Sequence, residues 1–148
     1  MNQTIRLPWA ALLSLCLSGQ AAEMNPGRVI RDVEYARVGE QALKLDLHLP
    51  PAAPRSPMIV WVHGGAWRSG SKHDMPLGKL VEEGYAVASV DYRLSTQSKF
   101  PAQVHDIKAA IRFVRGHGRE WGLPTKKIVI AVPQVHRPTK AHFAFSPR

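Results

Sequence analysis

The stretch from Trp61 to Lys72, WVHGGAWRSGSK, places His63, Gly64, Gly65, Ala66 and Trp67 directly after an apolar run. Two successive glycines open backbone conformations closed to other residues, so N–H groups can point into open space instead of into a ladder. Free amides of that kind suit an anion, in particular the oxyanion that develops on a carbonyl oxygen during acyl transfer. A phosphate fits less well, because the chain has neither G-x-x-x-x-G-K-S/T nor G-x-G-x-x-G. Arg68, Ser69 and Ser71 read as polar loop residues rather than catalysts. His105 and His117 have no partner at metal-ligand spacing, so no metal site is expected. Near the other end, His136, His142 and Ser146 offer groups for nucleophilic catalysis, but in a Pro-punctuated stretch without strand or helix periodicity. Serine–histidine chemistry needs atoms held within hydrogen-bond reach by a rigid scaffold.

The elements around the glycine turn follow from hydrophobic periodicity. Residues 29–36 and 42–50 read as strands joined at Gly39, with Leu43, Leu45, Leu47 and Leu49 alternating with Lys44, Asp46 and His48 as in a half-buried antiparallel strand. The proline-rich run 50–57 reads as a loop, since proline removes backbone donors and restricts its predecessor. Residues 58–62, 85–90 and 127–132 are near-continuous apolar runs, the pattern of parallel strands covered on both faces. Between them, Leu77, Leu80 and Val81 share one face of a short helix ending at Gly84. Val104, Ile107, Ile111 and Val114 share a face of a longer one, opened by Pro101 and closed near Gly116 and Gly118. Lys108, Arg112 and Arg115 form its solvated side. The alternation predicts an α/β fold: a mostly parallel sheet with right-handed crossovers and an antiparallel N-terminal edge.

The 148 residues, 45% apolar and 21% charged, suit one globular domain. A formal net charge of +9 comes from scattered basic residues, with no recognisable nucleic-acid module, so no nucleic-acid partner is expected. Residues 1–22 read as a secretory signal: Arg6, then an apolar run from Leu7 to Leu17, then small and polar residues. That run falls short of the ~20 residues a bilayer span requires, so a secreted or periplasmic protein without a stable membrane anchor is expected. Cys16 lies inside the segment, and the processed chain would have no disulfide.

Taken together, HGGAW (63–67), VDYRLS (90–95) and FPAQVHDIKAAIRFVR (100–115) resemble, in order and spacing, the N-terminal half of an α/β-hydrolase of the esterase/lipase type, near the hormone-sensitive-lipase and acetyl/feruloyl-esterase-like branches. The resemblance covers residues 29–131. It implies an oxyanion hole at Gly64, Gly65 and Ala66, with the amides of Gly65 and Ala66 donating and Gly64 providing the turn. His63 would brace the loop, and Trp67 would either pack beneath it or line the acyl pocket. Asp91, Tyr92 and Arg93 would be structural, with Arg93 pairing an acid such as Asp106. In complete relatives the substrate would be a small ester or an acylated polysaccharide, cleaved by a Ser-His-Asp/Glu triad without cofactor.

The departure from the family lies after residue 131, where G-x-S-x-G is expected and Val132, Pro133 and Gln134 stand instead. None of the three triad residues has a position in these 148 residues, so the expected catalytic set is empty. The organisation expected is a signal (1–22), the N-terminal part of a hydrolase domain (23–131), incomplete after its fifth strand, and an irregular tail (132–148). An inactive fragment follows, with a non-catalytic acyl- or anion-binding fragment or half of a complemented esterase as the alternative. In the family the strand at 127–131 is interior to a larger sheet, so an open apolar edge and poor solubility are expected unless a missing C-terminal half completes it.

Overall fold

A computed structural model of the chain describes residues 27–133. Residues 1–22, read above as a secretory signal, and the tail residues Gln134, His136, His142 and Ser146 lie outside the described residues. Five strands form one sheet in the order β1-β2-β4-β3-β5: β1 Arg28–Val38, β2 Gln41–Leu49, β3 Arg55–Val62, β4 Tyr85–Val90 and β5 Ile128–Ala131. β1, β2 and β4 pair antiparallel, whereas β3 lies parallel between β4 and β5. The antiparallel edge and parallel centre predicted from periodicity are both present. The first strand runs longer than expected because two register irregularities, one beside Asp32 at φ 57°, let it bend with the sheet.

Both faces of the central strands are covered, which is why their sequences are continuously apolar. Met58, Val60 and Val62 of β3 join Ala86, Ala88 and Val90 of β4 and the leucines of β2 beneath α2, Ala102–His117. Ile59, Trp61 and Val87 face the other way, against Leu77 and the partly buried Leu80 and Val81 around α1, Gly78–Glu82. The connections from β3 and β4 thus leave toward opposite faces. Such a divergence opens a crevice beyond the carboxyl ends of the strands.

Three expectations require correction. The loop predicted over 50–57 gives way to strand at Arg55, and Pro57 lies inside β3. The strand tolerates it because Pro57 falls in a register irregularity between Arg55 and Ile59. The flanking donors are used elsewhere, Arg55 N–H on the Gly84 carbonyl at 2.7 Å and Met58 N–H on that of Lys127 at 3.0 Å. Asp46, expected on the solvated side of β2, is only 1% exposed. Buried partners described below hold it there. The fully covered face of α2 runs along Gln103, Asp106, Ala110 and Val114, while Ile107 and Ile111 are only partly buried against it. Polar anchors turn the helix: Arg93 grips Asp106, and Gln103 Nε2 donates to the Ser98 carbonyl at 2.8 Å.

Candidate functional site

Because Val62 pairs with Val90 and Trp61 with Ala131, the first residues beyond β3, β4 and β5 stand side by side. His63, Asp91 and Val132 therefore share one end of the sheet. His63 is buried, and its ring stacks on Tyr92 with centroids 4.2 Å apart and planes 11° from parallel. Its Nδ1 lies 2.8 Å from the Gly64 carbonyl, which can only accept, so Nδ1 carries the proton. Tyr92 Oη donates to the His63 carbonyl at 3.0 Å. Burial, and secondarily the Asp91 carboxylate, push the Tyr92 phenol above its ordinary pKa and keep it a neutral donor.

These contacts orient the amides. In a trans peptide the C=O and the following N–H point in opposite directions. The Gly64 carbonyl is drawn toward the His63 ring, so the Gly65 N–H is turned away from it. The Gly65 carbonyl accepts from Arg68 N–H at 2.9 Å and Ser69 N–H at 3.2 Å, so the Ala66 N–H is turned away from that turn. Among the described residues the Gly65 and Ala66 amides donate to nothing, and both residues are exposed.

Local sterics dictate the glycines. Gly65 has φ +101°, and a Cβ there would sit 2.2 Å from the Ser69 carbonyl oxygen. Gly70 has φ +93°, and its Cβ would lie 2.5 Å from His63 Nδ1 and 2.7 Å from the Gly64 oxygen. Ala66 and Trp67 occupy the left-handed region without being glycine, at φ 53° and 63°. That conformation costs roughly 1–2 kcal/mol per residue, so surrounding contacts must hold it. One is Ser95 N–H on the Trp67 carbonyl at 2.7 Å. Another is Trp67 itself, edge-on to Tyr92 at 5.1 Å. Trp67 both packs on Tyr92 and lines the cleft, with 42% of its surface open.

A cleft of about 180 Å³ lies on this side of the loop, walled by His63, Gly64, Ala66, Trp67, Tyr92 and the Val132–Pro133 pair. Pro133 Cγ is 3.0 Å from where a Cβ on Gly64 would be, so the pyrrolidine ring closes the floor beside the turn. A larger pocket, about 320 Å³, opens behind the loop against the β1–β2 hairpin. Its Asp32, Lys44 and Lys72 are paired with one another, which makes the smaller cleft with its free amides the better candidate for chemistry.

The far end of the loop is fastened by charge, which sequence reading missed. Ser71 and Asp74 form a reciprocal cap on the 3-10 turn Lys72–Asp74, with Ser71 N–H on Asp74 Oδ2 at 2.7 Å and His73 N–H on Ser71 Oγ at 3.2 Å. Lys72 follows, 3% exposed, with Nζ 2.7 Å from Asp46 Oδ1 and 3.2 Å from Asp32 Oδ1. Its amide donates to Asp91 Oδ1 at 2.6 Å, and its carbonyl accepts from Ser89 Oγ. Burial pushes the Lys72 ammonium down, but the Asp46 and Asp32 carboxylates outweigh it and hold the pKa above the ordinary lysine value. Burial likewise pushes Asp46 up, and the Lys72 ammonium with the Asp32 amide brings it below the ordinary carboxylate range. The sequence carried no signal for this anchor, because the alternation of β2 assigns Asp46 to its solvated side.

Arg93 pairs with Asp106 as expected, through Nε at 2.8 Å and Nη2 at 2.7 Å. His105 is exposed, and His117 lies 3.0 Å from Glu120. Among the described residues no three His, Cys, Asp or Glu side chains gather as metal ligands, and no helix is long and apolar enough to cross a membrane.

Comparison with known proteins gives this geometry a context. Residues 45–132 match the BD-FAE family model. Esterase LipI of Mycobacterium tuberculosis is 34% identical over 91 residues, 57% of this chain and 28% of its own. Among solved structures, the thermophilic esterase Est2 of Thermogutta terrifontis superposes with a TM-score of 0.63 at 31% identity, over 76% of this chain and 41% of its own. A truncated carbohydrate esterase from gut microbiota gives 0.65 at 30%, with the same coverage of both chains. The chain thus spans less than half the length of these relatives. It belongs to the BD-FAE family of α/β-hydrolase esterases and carries part of their fold.

Proposed function

We propose that residues 27–133 are the oxyanion-stabilising part of a carboxylic ester hydrolase, in which the Gly65 and Ala66 amides receive the carbonyl oxygen of a small ester or an acylated polysaccharide. The observation that carries this reading is the orientation of those two amides, fixed by the Gly64 and Gly65 carbonyls and left without a partner among the described residues. Donors held in advance at the place where charge develops need no reorganisation, and one is worth about 2.7–4 kcal/mol of barrier. Gly64 serves as the turn, His63 as the brace and Trp67 as a wall of the acyl pocket. Similarity to a carbohydrate esterase supports the polysaccharide side of the substrate class.

As these 148 residues stand, Val132 and Pro133 occupy the position of the nucleophile elbow, and the chain does not acylate by itself. A serine-bearing segment is needed for turnover. The second reading, a non-catalytic acyl or anion binder, draws on the Pro133 ring packed against Gly64. Residues 1–22 direct the chain out of the cytoplasm. Incubating the 148-residue chain with p-nitrophenyl acetate and a fluorophosphonate probe tests inactivity: neither turnover nor labelling is expected, and covalent labelling would overturn it. Titration with butyrate, followed by amide NMR, tests the amide site. Shifts centred on Gly65 and Ala66 support it, and unmoved signals there refute it.

A further inference from the structure

A second surface lies along the outer side of α2. Lys108, Arg112, Arg115 and Arg119 are spaced 4, 3 and 4 residues apart, which aligns them on one face of α2 and the 3-10 turn Gly118–Trp121 that continues it. All four are exposed, as are Lys126 and Lys127 leading into β5. A groove of about 430 Å³ is lined by Arg115, Arg119, Thr125 and Lys126. Among the described residues none of these six cations has an acidic partner. The one acid of that turn, Glu120, is held by His117 at 3.0 Å. Elsewhere Arg31, Arg37, Lys44, Lys72 and Arg93 are each within 4 Å of a carboxylate, and the cations that likewise have no acidic partner among the described residues, Arg28, Arg55, Arg68, Lys79 and Lys99, fall on separate elements and form no row. The opposite side of α2 packs on β1 and β4, so the row faces outward.

We infer that this row of unpaired cations on α2 is a docking surface for a linear anionic polysaccharide, a chain of uronate sugars whose carboxylates follow the row and end in the Arg115–Arg119–Lys126 groove. From Lys108 to Arg119 the row is about 17 Å long at helical rise, long enough for several charged sugars. A single file of charge complements a single file of carboxylates rather than the two phosphate rows of a duplex. It carries no aromatic side chain on which bases could stack. A membrane surface fits poorly, because none of the exposed large apolar residues, Val29, Val38, Trp67, Phe100, Ile130 and Val132, belongs to this helix. α2 descends from the carboxyl end of the sheet toward the amino end of β5, so the row runs from the end that holds the cleft to the opposite end.

The test uses the full chain and fluorescence anisotropy at low salt, with a labelled polygalacturonate oligomer as probe. Neutral dextran, a random DNA duplex and vesicles of phosphatidylcholine with phosphatidylglycerol are the competing probes. Polygalacturonate should bind most tightly and weaken as salt rises. Replacing Lys108, Arg112, Arg115 and Arg119 by glutamine should reduce that affinity about 10- to 1,000-fold, from four exposed ion pairs of a few tenths to 1 kcal/mol each. Replacing the exposed Arg28, Arg55, Lys79 and Lys99 by glutamine changes net charge equally and should leave binding within about twofold. Equal losses in the two variants, tighter binding to duplex or vesicle, or no binding to polygalacturonate would each overturn the inference. A matching thermal melt confirms that each variant folds.

Discussion

Replacing Lys72 by methionine should cost about 3 kcal/mol of folding stability at neutral pH. The lysine is 3% exposed and its ammonium is 2.7 Å from a carboxylate that is 1% exposed. Removing one member of a buried pair leaves an uncompensated charge, at about 3–5 kcal/mol. The low end applies because Asp46 keeps the Asp32 amide at 2.8 Å and has Arg31 at 3.6 Å and His73 at 3.7 Å, both on largely exposed side chains. Against a total stability of about 5–15 kcal/mol, such a loss is plain in urea denaturation followed by tryptophan fluorescence. The pH dependence separates lost charge from lost packing. In the parent chain the depressed Asp46 pKa contributes stability that is present above the ordinary carboxylate range and disappears as pH falls through the depressed value. In the variant burial prevails and raises that pKa, so the gap between the two proteins should narrow from pH 7 toward about pH 4. The double variant Lys72→Met, Asp46→Leu should recover most of the loss. A single-variant cost below about 1 kcal/mol, or a double variant no better than the single, would refute a charge anchor beneath the loop.

Three other substitutions probe the same framework. Gly70→Ala puts a Cβ against His63 Nδ1 and the Gly64 oxygen at a φ of +93°; it should cost about 1–3 kcal/mol and displace the Gly65 and Ala66 amide resonances, and an unchanged spectrum would contradict the packing. Tyr92→Phe keeps the stack on His63 but removes the donor to its carbonyl, with an expected loss of about 1–3 kcal/mol read by thermal denaturation. Ile130→Lys, at an apolar side chain 43% exposed on β5, the edge strand among the described residues, should reduce self-association of the chain in analytical ultracentrifugation; an unchanged association constant would place the contact elsewhere.

Much of the architecture was legible because each element met a simple periodic demand. Continuous apolar runs at 58–62 and 85–90 required cover on both faces, and α1 and α2 provide it from opposite sides. The turn 63–70 was legible because the local backbone needs glycine at Gly65 and Gly70. The departures share one cause. Pro57 sits within a strand because the neighbouring strand asks for no hydrogen bond there, and Asp46 is buried because a lysine 26 residues away reaches it.

By itself, the sequence determined the order of the strands and helices, the parallel centre and the tight turn, all of which depend on residues within a few positions of one another. Only the tertiary structure decided which way the Gly65 and Ala66 amides face, since that depends on His63 and on the turn that closes back through Ser69. It alone joined Lys72 to Asp46 and Asp32, seated Tyr92 beneath the loop and brought Pro133 onto Gly64. Those contacts come from separate strands whose carboxyl ends meet, and the directional strength of hydrogen bonds and ion pairs emerges only once the sheet has brought them within 3–4 Å.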